Sequence, residues 1–342
     1  MSLVTSSSAP AAASLGTAQV GLADDGEGGA GSLRWFLRDA LGDVCGPCPG
    51  LGGGVPVLRA GAHVVDPPFY GDGDIGHAAV CATVNELAAA GAVPLGLALS
   101  AVVEAGLALE RVRQVARSVR AAAQAAGVVV VDVDARVVRA GEADQIYLHT
   151  TGIGLLRSPA PVARARAGDR LVVSAPLGGF GAHVLSVRAR LGHESVISGG
   201  CVPLTGLLGR VREAVPAGAV RAVRAVGRGG LAAVLRAYAD ETGLGLRVRE
   251  AALPVQYEAR VALDMLEVDP LEAATTSCVC VVVAAEAVDA LLAVVRAHPC
   301  GQEAAVVGEV VGPGADPVVL VPGDGRPAAP AAAARSAPAR LA

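Results

Sequence analysis

A protein of mixed α/β class built as two domains is what this sequence predicts, and three observations carry the prediction. The chain has 342 residues, the length of two domains of roughly 150 residues each. Runs rich in β-branched residues alternate with helix-period runs from about residue 63 to residue 311. A Pro-containing stretch, Ser158-Pro159-Ala160-Pro161, interrupts that alternation near the middle. The expected layout is a tail over 1–17, a first domain over 18–157, a second over 162–320, and an Ala/Pro tail over 323–342. Both tails are low-complexity segments that cannot repay the entropy of ordering. Hydrophobic residues make up 53% of the chain but aromatics only 2%, so Ala, Val and Leu must build the core.

The elements follow in chain order. His63-Val64-Val65 reads as a short strand ended by Pro67-Pro68. From Gly76 to Ala90, Ala79, Val80, Val84, Leu87 and Ala88 recur at helical spacing, and Gly91 is a natural stop. Leu95–Val103 reads as a strand. Ala108–Ala126 is an amphipathic helix whose arginines lie mainly on the polar side, closed by Gly127. Val128–Val131 and Gln145–Ile153 are strands. The second half opens with a strand over Asp169–Ser174, the Gly-rich turn Leu177–Gly181 and a helix over 182–191. Helices over 203–214 and 230–242, strands over 244–248 and 279–283, a helix over 286–298 and a strand over 304–311 complete it.

Composition also excludes function classes. The formal charge is −4, which offers no electrostatic footprint for nucleic acid or an anionic membrane. All 28 basic residues are Arg, so neither a Schiff base nor a P-loop lysine is available. The longest uncharged apolar run, Leu87–Val103, is interrupted by Pro94 and falls short of the roughly 20 residues that a membrane-spanning helix needs. The first charge comes at Asp24. The opening segment therefore lacks the basic region of a secretory signal, and a cytoplasmic location is expected. Seven Cys do not make a disulfide framework in a chain of this size.

Short motifs are weak by themselves. Gly71-x-Gly73-x-x-Gly76 spells a dinucleotide loop, but Pro67-Pro68 before it makes a poor strand end. What survives is a Gly-rich loop with Asp72 and Asp74 at a helix start, able to hold a phosphate–metal group. Cys45-Gly-Pro-Cys48 spells a redox dithiol without the flanking helix such a pair needs. Cys278-x-Cys280 alternates along a strand, which puts both side chains on one face and makes no zinc site. The six His are scattered and read as surface or packing residues.

One extended signature is specific. Gly73-Asp74-Ile75-Gly76, followed by Cys81-Ala82-Thr83-Val84-Asn85-Glu86-Leu87-Ala88 and Gly91-Ala92-Val93-Pro94, resembles the HypE family of hydrogenase maturation proteins, within the AIR synthase-related (PurM-like) superfamily. The resemblance continues through Asp134-Ala135-Arg136-Val137-Val138, Thr150–Gly154, Val172–Gly178, Arg228-Gly229-Gly230-Leu231-Ala232, Ala252–Val255, Asp269-Pro270-Leu271 and Val307–Val310, covering about residues 20–315. It implies a two-domain PurM-like fold whose N-terminal domain contributes a half-barrel to a dimeric β-barrel, with an α/β C-terminal domain. It also implies ATP and Mg²⁺ bound between the domains by Asp74, Asn85, Glu86, Asp134, Arg136, Arg228, Gly229 and Gly230, with Asp74, Glu86 and Asp134 as metal ligands. The implied reaction is ATP-dependent dehydration of a carbamoyl (thiocarboxamide) group to a cyano group for the active-site iron of [NiFe] hydrogenase. The implied partners are a second HypE-type protomer, as homodimer or heterodimer, together with HypF and the HypC–HypD complex.

The sequence departs from the family pattern at charged and reactive positions. Asp25–Gly29 lacks the family's His, Gly61 stands where an Asp is expected, and Glu86 replaces an Asp. Arg136 replaces a Lys, Ala225 another Asp, Thr276 a Glu, and Gly179-Phe180 an Asp-His pair. The family's terminal Pro-Arg-Ile-Cys is not found; the last residues are Pro338-Ala339-Arg340-Leu341-Ala342. The expectation therefore carries an alternative, a catalytically degenerate HypE paralogue acting as a binding or heterodimer partner in the same pathway.

Overall fold

The computed structural model describes residues 18–21, 24, 32–50, 52–157, 164–216, 218–314, 317–322 and 329–330. The expected tails, apart from 329–330, the Pro-containing stretch at 158–161 and the Asp25–Gly29 segment lie outside the described residues.

The first half holds α1 (Leu33–Leu41), β1 (Val55–His63), α2 (Ile75–Ala89), β2 (Val93–Glu104), α3 (Leu109–Ala126), β3 (Val129–Val138) and β4 (Ile146–Leu156). Its four strands form one sheet in the order β1-β4-β2-β3, with only the β2–β3 pair parallel. Side chains alternate across a strand, and one face packs under α2 and α3, where Val80, Val84, Leu97, Leu99, Val115, Val119, Val133 and Leu148 share a core. The opposite face is uncovered along β1, where Leu58 is 61% exposed. β3 runs well past its expected end. Asp132, Asp134 and Arg136 alternate with buried Val133, Ala135 and Val137, a period-two pattern hidden by its charges. β1 ends at His63, where a strand was expected to begin. Its Ala and Gly residues carry little strand propensity, and pairing with β4 from Val55 to His63 overrides it.

The second half holds β5 (Arg170–Val173), α4 (Gly179–Ala189), α5 (Thr205–Ala214), β6 (Val220–Val226), α6 (Gly230–Thr242), β7 (Gly245–Arg249), α7 (Tyr257–Met265), β8 (Cys278–Val283), α8 (Val288–Arg296), β9 (Ala305–Val311), β10 (Val318–Val321) and β11 (Ala329–Pro330). The sheet order is β11-β10-β7-β9-β5-β8-β6. β8 shows how both faces fill. Cys278, Cys280 and Val282 join Leu231, Leu235 and Tyr238 of α6, whereas Val279, Val281 and Val283 join Leu207 and Leu208 of α5 and Leu291 and Val295 of α8. A strand buried on both faces reads as a continuous apolar run, which is what residues 278–283 show.

The two halves share packing. Phe180, Val184, Cys201 and Ala274 lie in the same buried cluster as Tyr70, Ile75 and Val80, and Ala88 of α2 lies in the α5–α8 cluster. α2 is buried nearly all round, as expected of a helix surrounded by protein on every side.

Candidate functional site

β1 and α2 on one side and β6 and α6 on the other enclose a cavity of about 1110 Å³. Its polar lining is dominated by arginine: Arg59 from β1, Arg164 ahead of β5, Arg221 and Arg224 from β6, and Arg228 from the turn before α6. Two of the five are already engaged. Arg221 reaches Asp169 behind the wall at 3.3 Å; Arg224 pairs with Glu241 and stacks 5.0 Å from the centre of the Tyr238 ring. Arg164 and Arg228 form no ion pair among the described residues, and Arg59 donates only to the carbonyl of Leu58 at 2.9 Å. Against five guanidiniums stand Glu86 and Glu241 on the lining and Asp169 behind it, which leaves a net charge of +2. Burial raises the Glu86 carboxyl above its usual range, and Arg59 opposes the rise. A concave site of this size and sign suits a polyanion.

The expected site residues divide. Glu86 and Arg228 line the cavity, across from each other on the two halves. Asp74, expected as a ligand, is instead the cap of α2. Its Oδ1 accepts from the amides of Gly76 at 2.9 Å and His77 at 3.4 Å, and its Oδ2 accepts from Ser118 Oγ at 2.6 Å. The carboxylate is 1% exposed with both oxygens occupied. Asp72 likewise serves as a strap and not a phosphate cradle, accepting from the Gly199 amide at 2.9 Å and lying 3.1 Å from His183 Nε2. Asp134 and Arg136 project from the exposed side of β3, at the opposite sheet edge from β1. The neighbouring Val133, Ala135 and Val137 are the β3 side chains packed in the core under α2 and α3, so Asp134 faces away from the helix that carries Asp74 and Glu86, and the trio is not assembled within one chain. Among the described residues no group of three or more His, Cys, Asp or Glu side chains is placed to hold a metal ion. The Gly229-Gly230 turn is no open phosphate nest either: the amides of Gly230 and Ala232 donate to the carbonyls of Gly227 and Leu271 at 3.0 and 2.9 Å.

Asn85 is also structural. Its Nδ2 donates to the Val202 carbonyl at 3.0 Å, and its Oδ1 accepts from the Leu204 amide at 2.7 Å. These partners fix the orientation of the amide and tie α2 to the second half. Asn85→Ala strands the amide of fully buried Leu204, a loss of about 2 kcal/mol. Chemical denaturation should show that loss, while nucleotide affinity at the neighbouring cavity stays within about threefold.

The Cys45–Cys48 pair gains no support as a redox dithiol. Burial pushes the Cys45 thiol up, away from the thiolate that such chemistry uses.

A cluster that spacing could not reveal joins β1, β4 and α2. His63 Nε2 is 2.8 Å from Thr150 Oγ1, Thr150 Oγ1 is 2.5 Å from Thr83 Oγ1, and Thr83 donates to the Ala79 carbonyl at 3.0 Å. Burial, with His149 and Arg228 adding repulsion, lowers the His63 pKa to about 4. The ring thus stays neutral in the native state below the pH at which the unfolded chain protonates it. Stability should be unaffected by this group above about pH 6.5, fall between about pH 6.5 and 4, and level off below. Allowing for solvent screening of a half-buried ring, the loss is about 2 kcal/mol. Melting profiles of the wild type and His63→Phe across that window should converge as pH falls.

The sequence matches the AIR synthase related protein N-terminal domain over residues 55–156 and the AIR synthase related protein C-terminal domain over residues 166–321. It is 39% identical over 267 residues to the carbamoyl dehydratase HypE of Rhizobium leguminosarum bv. viciae, covering 76% of this chain and 74% of that protein. The chain belongs to the HypE family. Solved HypE structures carry the same two-domain arrangement. HypE in complex with ATP superposes with a TM-score of 0.79 at 31% identity, covering 88% of this chain and 94% of that one. A chain of the HypE–HypF complex superposes with a TM-score of 0.75 at 31% identity, covering 82% and 91%. The PurM-like α/β fold expected from sequence is therefore the fold of this HypE-family chain. Among its described residues no helix is long and apolar enough to cross a membrane.

Proposed function

We propose that this chain is an ATP-dependent carbamoyl dehydratase of hydrogenase maturation, with the nucleotide held in the arginine-lined cavity between its two halves. The observation that carries the reading is the pair Arg164 and Arg228, whose guanidiniums form no ion pair among the described residues, facing Glu86 across a cavity of about 1110 Å³ in a HypE-family chain.

The residues fit a nucleotide triphosphate by charge and volume. Arg59, Arg164 and Arg228 would take phosphate oxygens, for which the guanidinium fork is suited. Mg²⁺ is commonly held by one or two carboxylates together with phosphate oxygens, and Glu86 is the expected metal ligand that reaches the cavity. Gly229 and Gly230 act by shaping the turn that presents Arg228. When bound, ATP supplies the phosphoryl group that turns a carbamoyl oxygen into a leaving group. The chain's own part is to hold the anion, exclude water and present the carbamoyl nitrogen to an acceptor. With no lysine in the chain, proton handling falls to carboxylates, imidazoles and solvent, because arginine stays charged.

HypF is the proposed protein partner, supported by the solved HypE–HypF complex. The uncovered face of the β1-β4-β2-β3 sheet, with Leu58 exposed on it, suits a second copy completing a barrel. Calorimetric titration with Mg-ATP tests the core of the reading. Saturable, Mg-dependent heat is expected, with a rise in melting temperature matching roughly 2.7 kcal/mol at 100 times Kd. No heat and no shift at millimolar nucleotide would overturn it.

A further inference from the structure

Arg224 is held flat in the wall of the cavity. Its partner across the β6–β8 pair is Cys280, whose side chain shares a core with Tyr238 of α6, so the arginine projects toward that helix. There the guanidinium lies 5.0 Å from the centre of the Tyr238 ring. The ring is fixed from behind: Tyr238 is 4% exposed, and its hydroxyl donates to the Cys280 carbonyl at 3.2 Å. Nearly one turn further along α6, both carboxylate oxygens of Glu241 accept from Arg224 Nη2. Ring and carboxylate together hold the group at one face and one edge.

Three features set Arg224 apart from an arginine that binds an anion. Glu241 already answers its charge, and that carboxylate repels a phosphate brought alongside. Its Nε–H is buried and meets no acceptor, the only buried side-chain nitrogen or oxygen left so among the described residues. An arginine placed for its donors would not strand one of the five. Finally, the Tyr238 ring covers one face of the guanidinium, so the 34% of the side chain that stays exposed opens into the cavity it lines. Ala233 and Ala237, on successive turns of α6, line the same cavity and put only methyl groups there.

We propose that Arg224 is the platform on which the base of the nucleotide stacks, with the phosphates running toward Arg228 and Glu86. The proposal rests on the nucleotide reading above. Guanidiniums stack on aromatic faces, and here Tyr238, Arg224 and the base form three layers. Arg228 follows four residues later, at most about 13 Å of extended chain, within the reach of a nucleotide's ribose and phosphates. The stack senses a planar aromatic group and not a charge. It therefore separates a nucleotide from a bare polyphosphate, which contacts to phosphate oxygens alone cannot do.

The test titrates the full chain by calorimetry with ATP and with inorganic tripolyphosphate, each in the presence of Mg²⁺. The wild type should prefer ATP. Arg224→Ala should weaken ATP binding about tenfold and leave tripolyphosphate binding within about twofold, whereas Arg228→Ala should weaken both. Arg224→Lys should not restore ATP affinity, because an ammonium returns the charge without the plane. Arg224→Tyr, which returns a plane without the charge, should restore much of it. In spectra of ¹³C-arginine-labelled protein, ATP should move the Arg224 Hδ resonances upfield through the ring current of the stacked base, and tripolyphosphate should not. Equal losses for both ligands in a folded Arg224→Ala protein would overturn the proposal, as would full rescue by lysine. If the alanine variant does not fold, the lysine and tyrosine variants and the wild-type spectra decide. A wild type that binds ATP without moving the Arg224 resonances condemns the role of Arg224 alone, whereas a wild type that binds neither ligand condemns the nucleotide reading of the cavity.

Discussion

Gly230→Ala is expected to lower the unfolding free energy by about 3 kcal/mol or more. Gly230 is the first residue of α6 and adopts φ +60°, a conformation that costs an L side chain about 1–2 kcal/mol. A Cβ there would also stand 2.2 Å from the Leu271 carbonyl oxygen and 2.7 Å from that of Ala273. Neither atom is the end of a flexible side chain, so the strand-side loop or the helix must shift. Overpacking of this kind adds about 1–3 kcal/mol. The Leu271 carbonyl accepts from the Ala232 amide, so any shift also loosens the start of α6 and the turn that presents Arg228. Urea unfolding should show a lower midpoint at unchanged slope. Gly227→Ala, where nothing lies within 4 Å of the added atom, should change the midpoint little. A Gly230→Ala protein within 1 kcal/mol of wild type would contradict the described packing.

Arg228→Ala is expected to weaken Mg-ATP binding by about 10- to 100-fold, the 1.4–2.8 kcal/mol of a charge-assisted contact to phosphate. The guanidinium has no ion-pair partner among the described residues, so no competing interaction is lost and the fold should hold. Arg228→Lys should recover part of the affinity, since an ammonium restores the charge but not the two-pronged contact. Affinity should also fall less steeply with salt in the alanine variant than in the wild type. Arg139→Ala, which removes an exposed residue paired with Glu142, is the matching control and should leave binding unchanged. Equal affinities in Arg228→Ala and wild type would move the nucleotide out of this cavity.

Much of the fold is legible in the sequence because its helices keep a clean period. Ala79, Val80, Val84 and Leu87 announce α2, and Val112, Val115, Ala116 and Val119 announce α3. Strands fared less evenly. β8 is an apolar run and β9 carries one charge, Glu309, so both read directly, whereas β1 is interrupted by Arg, Ala and Gly and β6 by Arg and Ala, and both owe their form to their neighbours in the sheet. α1 and α7 are not legible in the sequence; each is 9 residues long, too short for periodicity to decide. In the site, Glu86 and Arg228 follow from family resemblance, while Arg59 and Arg164 carry no motif. Asp74 misleads because an aspartate before a helix spells a cap and a ligand equally well. His63, Thr83 and Thr150 meet only because β1 pairs with β4 beneath α2, and that meeting is a product of topology, not spacing.

α2 belongs to two cores at once. Val80 and Val84 are buried in the first, Ala88 in the second, and Asn85 pins the 202–204 segment between them. A helix shared in this way works as a common beam: neither half can swing without breaking the other's interior. The cavity beside it is thus preorganised, its walls held apart by packed side chains before any nucleotide arrives. Binding then costs little conformational entropy. The two halves should melt in one cooperative transition, and nucleotide exchange should depend on arginine side chains turning at the rim instead of on a domain hinge.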